Sequence, residues 1–303
     1  MQGGMVPTLI GFTAILLWSC LAVLTAASRT VPPFELAAFT FSIGGALGLA
    51  VTLARRRLGA LKQPPLVWAV GVSGLFGYHA LYFAALRQAP PAQAGLIAYL
   101  WPLLIVLLSA TLPGERLAAR HLCGACLGLA GVAVLILGRS GDGFEARYAA
   151  GYALAGGCAL LWSTYSILSR RMRDVPTDAV GGFCIATAIL AAAAHVLCEQ
   201  TVWPSTPGQT LSIVGLGVGP VGLAFYAWDH GVKRGDIRLL GVASYAAPVL
   251  STLILVAAGM ASASWSLLLA CGLIVSGAAV ASLVLPDRPL RWIGTSRLAR
   301  RRP

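Results

Sequence analysis

The sequence predicts an all-α integral membrane protein of ten transmembrane helices, built as two inverted five-helix repeats. Three observations predict it. The 303 residues are 58% apolar and only 11% charged, against about 45–50% and about 25% in a soluble domain. So few charges cannot clothe a water-facing surface. Ten apolar stretches each approach the ~20 residues that cross a bilayer at ~1.5 Å per residue. A spaced pattern of the first half also recurs in the second.

The expected spans run over 6–27, 34–54, 65–86, 91–112, 117–138, 149–169, 178–198, 209–231, 238–259 and 263–285. The first, Val6 to Ala27, is too long for the ~7–15-residue core of a cleaved leader and lacks a basic flank, so it reads as a membrane span. Short connections punctuate the rest: Pro32-Pro33, Pro64-Pro65, Pro90-Pro91, Pro113-Gly114, Gly141-Asp142-Gly143, Pro176 and Pro204. They leave no room for another domain. The organisation is a first repeat over 6–138, a second over 149–285 and a basic tail over 286–303.

Orientation follows from the Lys/Arg bias of the connections. With the N-terminus inside, Arg29, Arg87, Arg139 and Arg147 alone of the 22 Lys and Arg fall outside. Both termini are therefore expected in the cytoplasm. The net charge of +12 sits in inner loops and the tail, where anionic lipid headgroups account for it; nucleic acid is not expected as a partner. The seven cysteines, among them the Cys123-x-x-Cys126 pair, read as small apolar packing residues. A redox or zinc motif needs a second pair or a βαβ unit. No metal or cofactor is expected.

The repeat is specific. Leu16-Leu17-Trp18-Ser19, followed by Arg29 and Val31-Pro32, recurs as Leu160-Leu161-Trp162-Ser163, Arg173 and Val175-Pro176. Gly95-x3-Tyr99-x2-Pro102 recurs as Gly241-x3-Tyr245-x2-Pro248. The offsets are 144 and 146 residues. A five-helix unit is odd, so its second copy enters the membrane from the other side. Inverted repeats typify alternating-access transporters, with the substrate near the midplane between the halves.

Several motifs resemble a known family. The stretch Tyr82-Phe83-Ala84-Ala85-Leu86-Arg87, and Pro113-Gly114-Glu115 followed by Gly124 and Gly131, resemble the ten-helix EamA branch of the drug/metabolite transporter superfamily. The runs Tyr78-His79-Ala80-Leu81-Tyr82 and Tyr99-Leu100-Trp101-Pro102 resemble its aromatic amino-acid exporter group. Glu115 has no counterpart in the second half, where Ala261 stands, and reads as a loop residue. The resemblance implies export of amino acids, aromatic and other large neutral ones, in the cell membrane, which in a Gram-negative bacterium is the inner membrane. The Gly-x3-Gly motifs read as packing within a monomer, with a dimer face as the alternative. The partners it implies are a small-molecule amino acid and the lipid bilayer.

Ionisable groups in hydrocarbon are costly and mark function by default. His79 lies mid-span. Tyr78 and Tyr82 are about 40° apart on a helix, with His79 about 60° from Tyr82, a polar-aromatic arc of about 100°. It suits a cavity wall; the alternative is a histidine satisfied by a neighbouring helix. Pro102 and Pro248 each remove a helical hydrogen bond, from the carbonyls of Ala98 and Ser244. Such paired interruptions point to a binding site or to kinks that shape the bundle. Tyr99 and Trp101 flank the first kink, about 200° apart, and face one cavity only if the helix is distorted; the resemblance ranks Trp101 first. Ser244 and Tyr245 flank the second. Trp162 and Tyr165, one turn apart beside Ser163 and Ser166, are cavity or packing residues, as is Trp18. The candidate substrate-binding set is His79, Trp101, Tyr78, Tyr82, Tyr99, Trp162, Tyr165, Ser244 and Tyr245.

Asp229 reads as part of a neutralised cluster with His230 and Lys233, or as the site of a coupling ion. His195 and Glu199 read as solvated at a helix end, and His121 as interfacial. Gly217-x-Gly219-x-x-Gly222 imitates a dinucleotide fingerprint but lacks a preceding strand. It reads as helix packing, like Gly44-x3-Gly48 and Gly124-x3-Gly128. The rivals to amino-acid export are another metabolite or drug as cargo and, from a different class, an intramembrane enzyme or structural protein. No catalytic motif supports an enzyme.

Overall fold

Helix starts follow proline. Pro33, Pro65, Pro91 and Pro207 each occupy a first turn, where the missing N–H costs nothing and φ is already helical. The computed structural model describes residues 4–113, 117–140 and 144–282, and all regular structure among them is helical. The first half comprises α1 (Met5–Ser19) with α2 (Leu21–Ala27), α3 (Pro33–Ala54), α4 (Pro65–Val72) with α5 (Tyr78–Gln88), α6 (Pro91–Ala98) with α7 (Trp101–Ser109), and α8 (Ala119–Ser140). The second comprises α9 (Ala149–Arg171), α10 (Ala179–Cys198), α11 (Pro207–Val218) with α12 (Ala224–Arg234), α13 (Ile237–Ala243) with α14 (Ala246–Ala257), and α15 (Trp265–Ser282). Glu115, the 141–143 connection and the basic tail lie outside the described residues.

Nine segments among the described residues are long and apolar enough to cross a membrane. The exception to the expected ten is α9. It has 23 residues, but Tyr152, Ser163, Thr164, Tyr165, Ser166 and Ser169 dilute its apolar character. Its position explains the composition: α9 packs against α4, α5, α6, α7 and α12. Two of its hydroxyls are satisfied within the helix, Ser163 donating to the Ala159 carbonyl at 2.8 Å and Ser166 to that of Trp162 at 2.9 Å. A polar group left unpaired in hydrocarbon would cost several kcal/mol.

The closest helix pairings join one half to the other: α8 with α15, α3 with α10, α1 with α12, and α5 with α9. The halves interdigitate and share a core. Glycine permits the closest approaches. A Cβ on Gly44 would lie 2.8 Å from Gly222 Cα, and one on Gly124 2.5 Å from the Gly277 carbonyl. The glycines that imitate a nucleotide fingerprint thus seat α3 against the α11–α12 region. Cys123 and Cys126 do not pack between helices as expected; both are exposed on α8, on a surface where a thiol is as acceptable to lipid as any small apolar group.

A turn at Cys20 parts α1 from α2, and four further irregularities interrupt the spans. Residues 73–77 and 219–223 each form a π turn, between α4 and α5 and between α11 and α12. The chain breaks at Tyr99–Leu100 and again at Ser244–Tyr245. The π turns recur at a spacing of 146 residues and the breaks at one of 145. At the second break the Ser244 carbonyl, deprived of its usual donor by Pro248, accepts the Ala247 N–H instead at 3.1 Å.

Candidate functional site

The first π turn re-aims the start of α5. His79 donates from Nδ1 to the Leu75 carbonyl at 2.7 Å. A carbonyl only accepts, so the neutral ring keeps Nε2 as an acceptor. The imidazole stands edge-on to Phe41 (5.1 Å between centroids), Tyr78 (5.4 Å), Phe83 (5.9 Å) and Phe225 (6.5 Å). Tyr78 and Tyr82 stack one turn apart at 6.1 Å, and Tyr78 meets Trp162 at 5.6 Å. The single arc of the sequence therefore divides: His79 faces α3 and α12, while Tyr78 turns toward α9.

Trp18 gathers the indoles. It lies 6.3 Å from Trp101, 5.7 Å from Trp162 and 5.1 Å from Trp228. Trp101 meets Trp162 at 6.2 Å and Trp228 at 5.7 Å, mostly edge to face, as aromatic quadrupoles prefer. Two indole N–H groups are committed: Trp18 donates to the Pro220 carbonyl and Trp228 to Ser166 Oγ, both at 3.1 Å. The Pro220 carbonyl lies in the second π turn, so the same irregularity that aims α12 anchors Trp18. Tyr165 tilts against Trp162 at 5.2 Å.

Repeat counterparts meet in this cage. Trp18 touches its counterpart Trp162, and His79 touches Phe225, which lies 146 residues on. The cage thus joins side chains from both halves of the chain, and its aromatic members are uncharged.

Not every candidate reaches it. The break at Tyr99–Leu100 lets Trp101 enter the cage while Tyr99 lies on the α6 side, near Tyr82 and Tyr78. Ser244 is buried with its hydroxyl turned back to the Leu240 carbonyl at 2.7 Å. Tyr245, fully buried, packs with Val106, Val132 and Val249 in a separate cluster. There its hydroxyl accepts the Leu103 N–H at 3.1 Å, an orphan donor in the first turn of α7. A side chain of one half thus caps a broken helix of the other, two residues from Trp101.

Two ionic clusters flank the cage. Asp229 and Lys233 pair at 2.8 Å with side chains 2% and 4% exposed. Thr177 donates to the aspartate at 2.7 Å and Lys233 to the Val175 carbonyl at 2.9 Å. His230 lies outside this pair, part-exposed. His195 and Glu199, expected in solvent, are bonded at 3.0 Å, His195 buried and the Glu199 side chain 3% exposed; the correction follows from Glu199 turning inward to the start of α3. His121 is buried within the protein, its Nδ1 accepting the Ala118 N–H at 3.2 Å before α8. Sequence reasoning missed Phe41, Phe225, Trp228 and Glu35. The repeat offset was the available signal for two of them: 146 residues separate Phe225 from His79 and Trp228 from Tyr82.

Comparison with known proteins gives this geometry a family. A profile of the EamA-like transporter family matches residues 6–137 and again 149–283. A protein of Ancylobacter novellus named aromatic amino acid exporter YddG is 61% identical over 279 residues, covering 91% of this chain and 97% of that one. The Escherichia coli protein of the same name is 26% identical over 88% of this chain and 94% of its own. A solved crystal structure superposes with a TM-score of 0.89 at 60% identity, over 91% of this chain and 96% of the other. The chain belongs to the EamA-like transporter family.

Proposed function

We propose that this protein exports aromatic and other large neutral amino acids across the cell membrane, by alternating access around the tryptophan cage. The cage carries the reading: rings for an apolar side chain, with His79 Nε2 and part-exposed tyrosines as polar partners and no fixed charge. A zwitterion suits such a site. A net cation or phosphate would lack a counter-charge, and an unpaired charge is costly there. The names of the relatives support the same substrate class.

The substrate wall comprises His79, Tyr78, Tyr82, Tyr99, Trp101, Trp162 and Tyr165, with Trp18, Phe225 and Trp228 added. Ser244 and Tyr245 act from behind, by shaping the second broken helix. The ten-span arrangement takes α9 as the sixth span, with 6–138 and 149–285 as inverted halves and both termini cytoplasmic. Its supports are the two-fold family match, the paired irregularities and the reciprocal pairings of α1 with α12 and α5 with α9. The unit is a monomer of the inner membrane in a Gram-negative cell.

The test is uptake of labelled tryptophan and phenylalanine into proteoliposomes, first without and then with a pH gradient. Saturable uptake that His79→Ala and Trp101→Ala abolish, while both still insert, is expected. Silence from correctly inserted protein under both conditions would overturn the substrate class, and normal transport by both variants would overturn the site.

A further inference from the structure

At the end of the bundle opposite Gly4, the side chains of Glu35, His195 and Glu199 meet out of solvent, with the half-exposed Arg87 at their edge. Glu199, at the end of α10, accepts the backbone N–H groups of Phe34 at 3.1 Å and Glu35 at 3.2 Å, orphan donors of the first turn of α3. Arg87, in the last turn of α5, reaches it at 3.4 Å. His195 donates from Nδ1 to Glu199 at 3.0 Å, which makes Nε2 of the neutral ring an acceptor. Nε2 takes the Thr201 hydroxyl at 2.9 Å and lies 4.0 Å from Glu35 Oε2. That oxygen accepts the Val202 N–H at 2.9 Å. Glu35 Oε1 is buried without a hydrogen-bond partner.

Two carboxylates facing one arginine leave the cluster one proton short of neutrality. A buried charge without full compensation is strongly disfavoured. The other groups at this end do not supply the balance: Arg29, on the turn before α3, is exposed, and α11 presents the uncharged Gln209, bonded to Thr30.

We propose that Glu35, His195 and Glu199 form a proton-binding site that sets the opening of this end. A proton between Nε2 and Glu35 turns the ring into a donor on both sides. It then clips α3 to the turn 199–202, and so the first half to the second. Without the proton that added tie is lost and the two carboxylates repel, which loosens the start of α3 from the end of α10 while Arg87 stays paired with Glu199. Arg87 lies five residues from Tyr82 on α5, so the site and the substrate wall share one rigid element. What the site controls rests on the transport reading; the site itself does not.

The experiment is tryptophan transport in oriented proteoliposomes as the pH on this face is varied over about 5 to 8, the range in which histidine changes charge. Transport is expected to slow about fivefold toward acid, the lower end of ordinary coupling between two sites. Glu35→Gln and His195→Gln are expected to flatten the profile. A flat wild-type profile, or an unchanged response in Glu35→Gln, overturns the proposal; the latter would place the titration elsewhere, as at His79. The unfolding midpoint of the purified protein is followed over the same range without substrate. It should depend on pH in the wild type and lose that dependence in Glu35→Gln; equal dependence in both overturns the site. If tryptophan is carried at no pH, the transport reading fails, and the unfolding series alone decides the proton site.

Discussion

Lys233→Met separates two roles for Asp229. The lysine and the aspartate are both almost wholly buried and 2.8 Å apart. Removing the lysine leaves a carboxylate in a dry interior with the Thr177 hydroxyl as its remaining hydrogen-bond donor. Stripping one partner from such a pair costs about 3–5 kcal/mol, whereas replacing both by uncharged groups is often close to neutral. Against a total stability of about 5–15 kcal/mol, the single variant should lose a large part of its folded population. Asp229→Asn combined with Lys233→Met should recover most of it. Unfolding midpoints of the wild type, both single variants and the double variant measure the cycle, with tryptophan transport recorded on each. A neutralising structural pair predicts a double variant that is stable and transports. A double variant that is stable yet silent would refute that reasoning and make Asp229 the seat of a coupling ion.

Two further predictions concern the helix breaks and the close helix contacts. Tyr245→Phe keeps the ring but leaves the Leu103 N–H without its acceptor, at about 1–3 kcal/mol. Because that bond fixes the start of α7, the KM for tryptophan should rise with little change in insertion; an unchanged KM would detach Tyr245 from the placement of Trp101. Gly44→Ala puts a methyl 2.8 Å from Gly222 Cα and 3.0 Å from the Gly217 carbonyl, backbone atoms that cannot rotate away. Overpacking of about 1–3 kcal/mol outweighs the ~0.5–1 kcal/mol that alanine gains in a helix. Gly272→Ala, with nothing within 4 Å of the new methyl, should be neutral or slightly stabilising. Equal stability of the two variants would contradict the contact.

Span positions were legible because a bilayer imposes length and apolarity on each segment directly. The broken helices were legible because Pro102 and Pro248 delete hydrogen bonds whatever surrounds them. The side that each residue faces was less so. Phe41 and Phe225 have the same apolar character in a sequence as residues that face lipid, and only packing brings them to His79. Glu35 stands at the start of the expected span 34–54 and carries no motif that singles it out; its partner, the Val202 N–H, lies far away in the chain. His195 and Glu199 looked solvated because they end a span, a rule that fails when the end is folded over a neighbour's first turn. Ser244 and Tyr245 were correctly placed beside an interruption, but the direction of a side chain next to a break is set by the partner helix.

The polarity of α9 bears on how the protein is made. Serine, threonine, tyrosine and glycine make a segment a poor guest for lipid when it leaves the insertion machinery alone. Its hosts are largely α4 through α7, which are synthesised earlier. With α9 as the sixth span, as proposed, membrane integration of the second half should be conditional on the first, α9 being retained by docking into a groove that already exists. A chain lacking residues 6–138 should fail during biogenesis, with α9 left outside the bilayer and the topology of everything after it reversed.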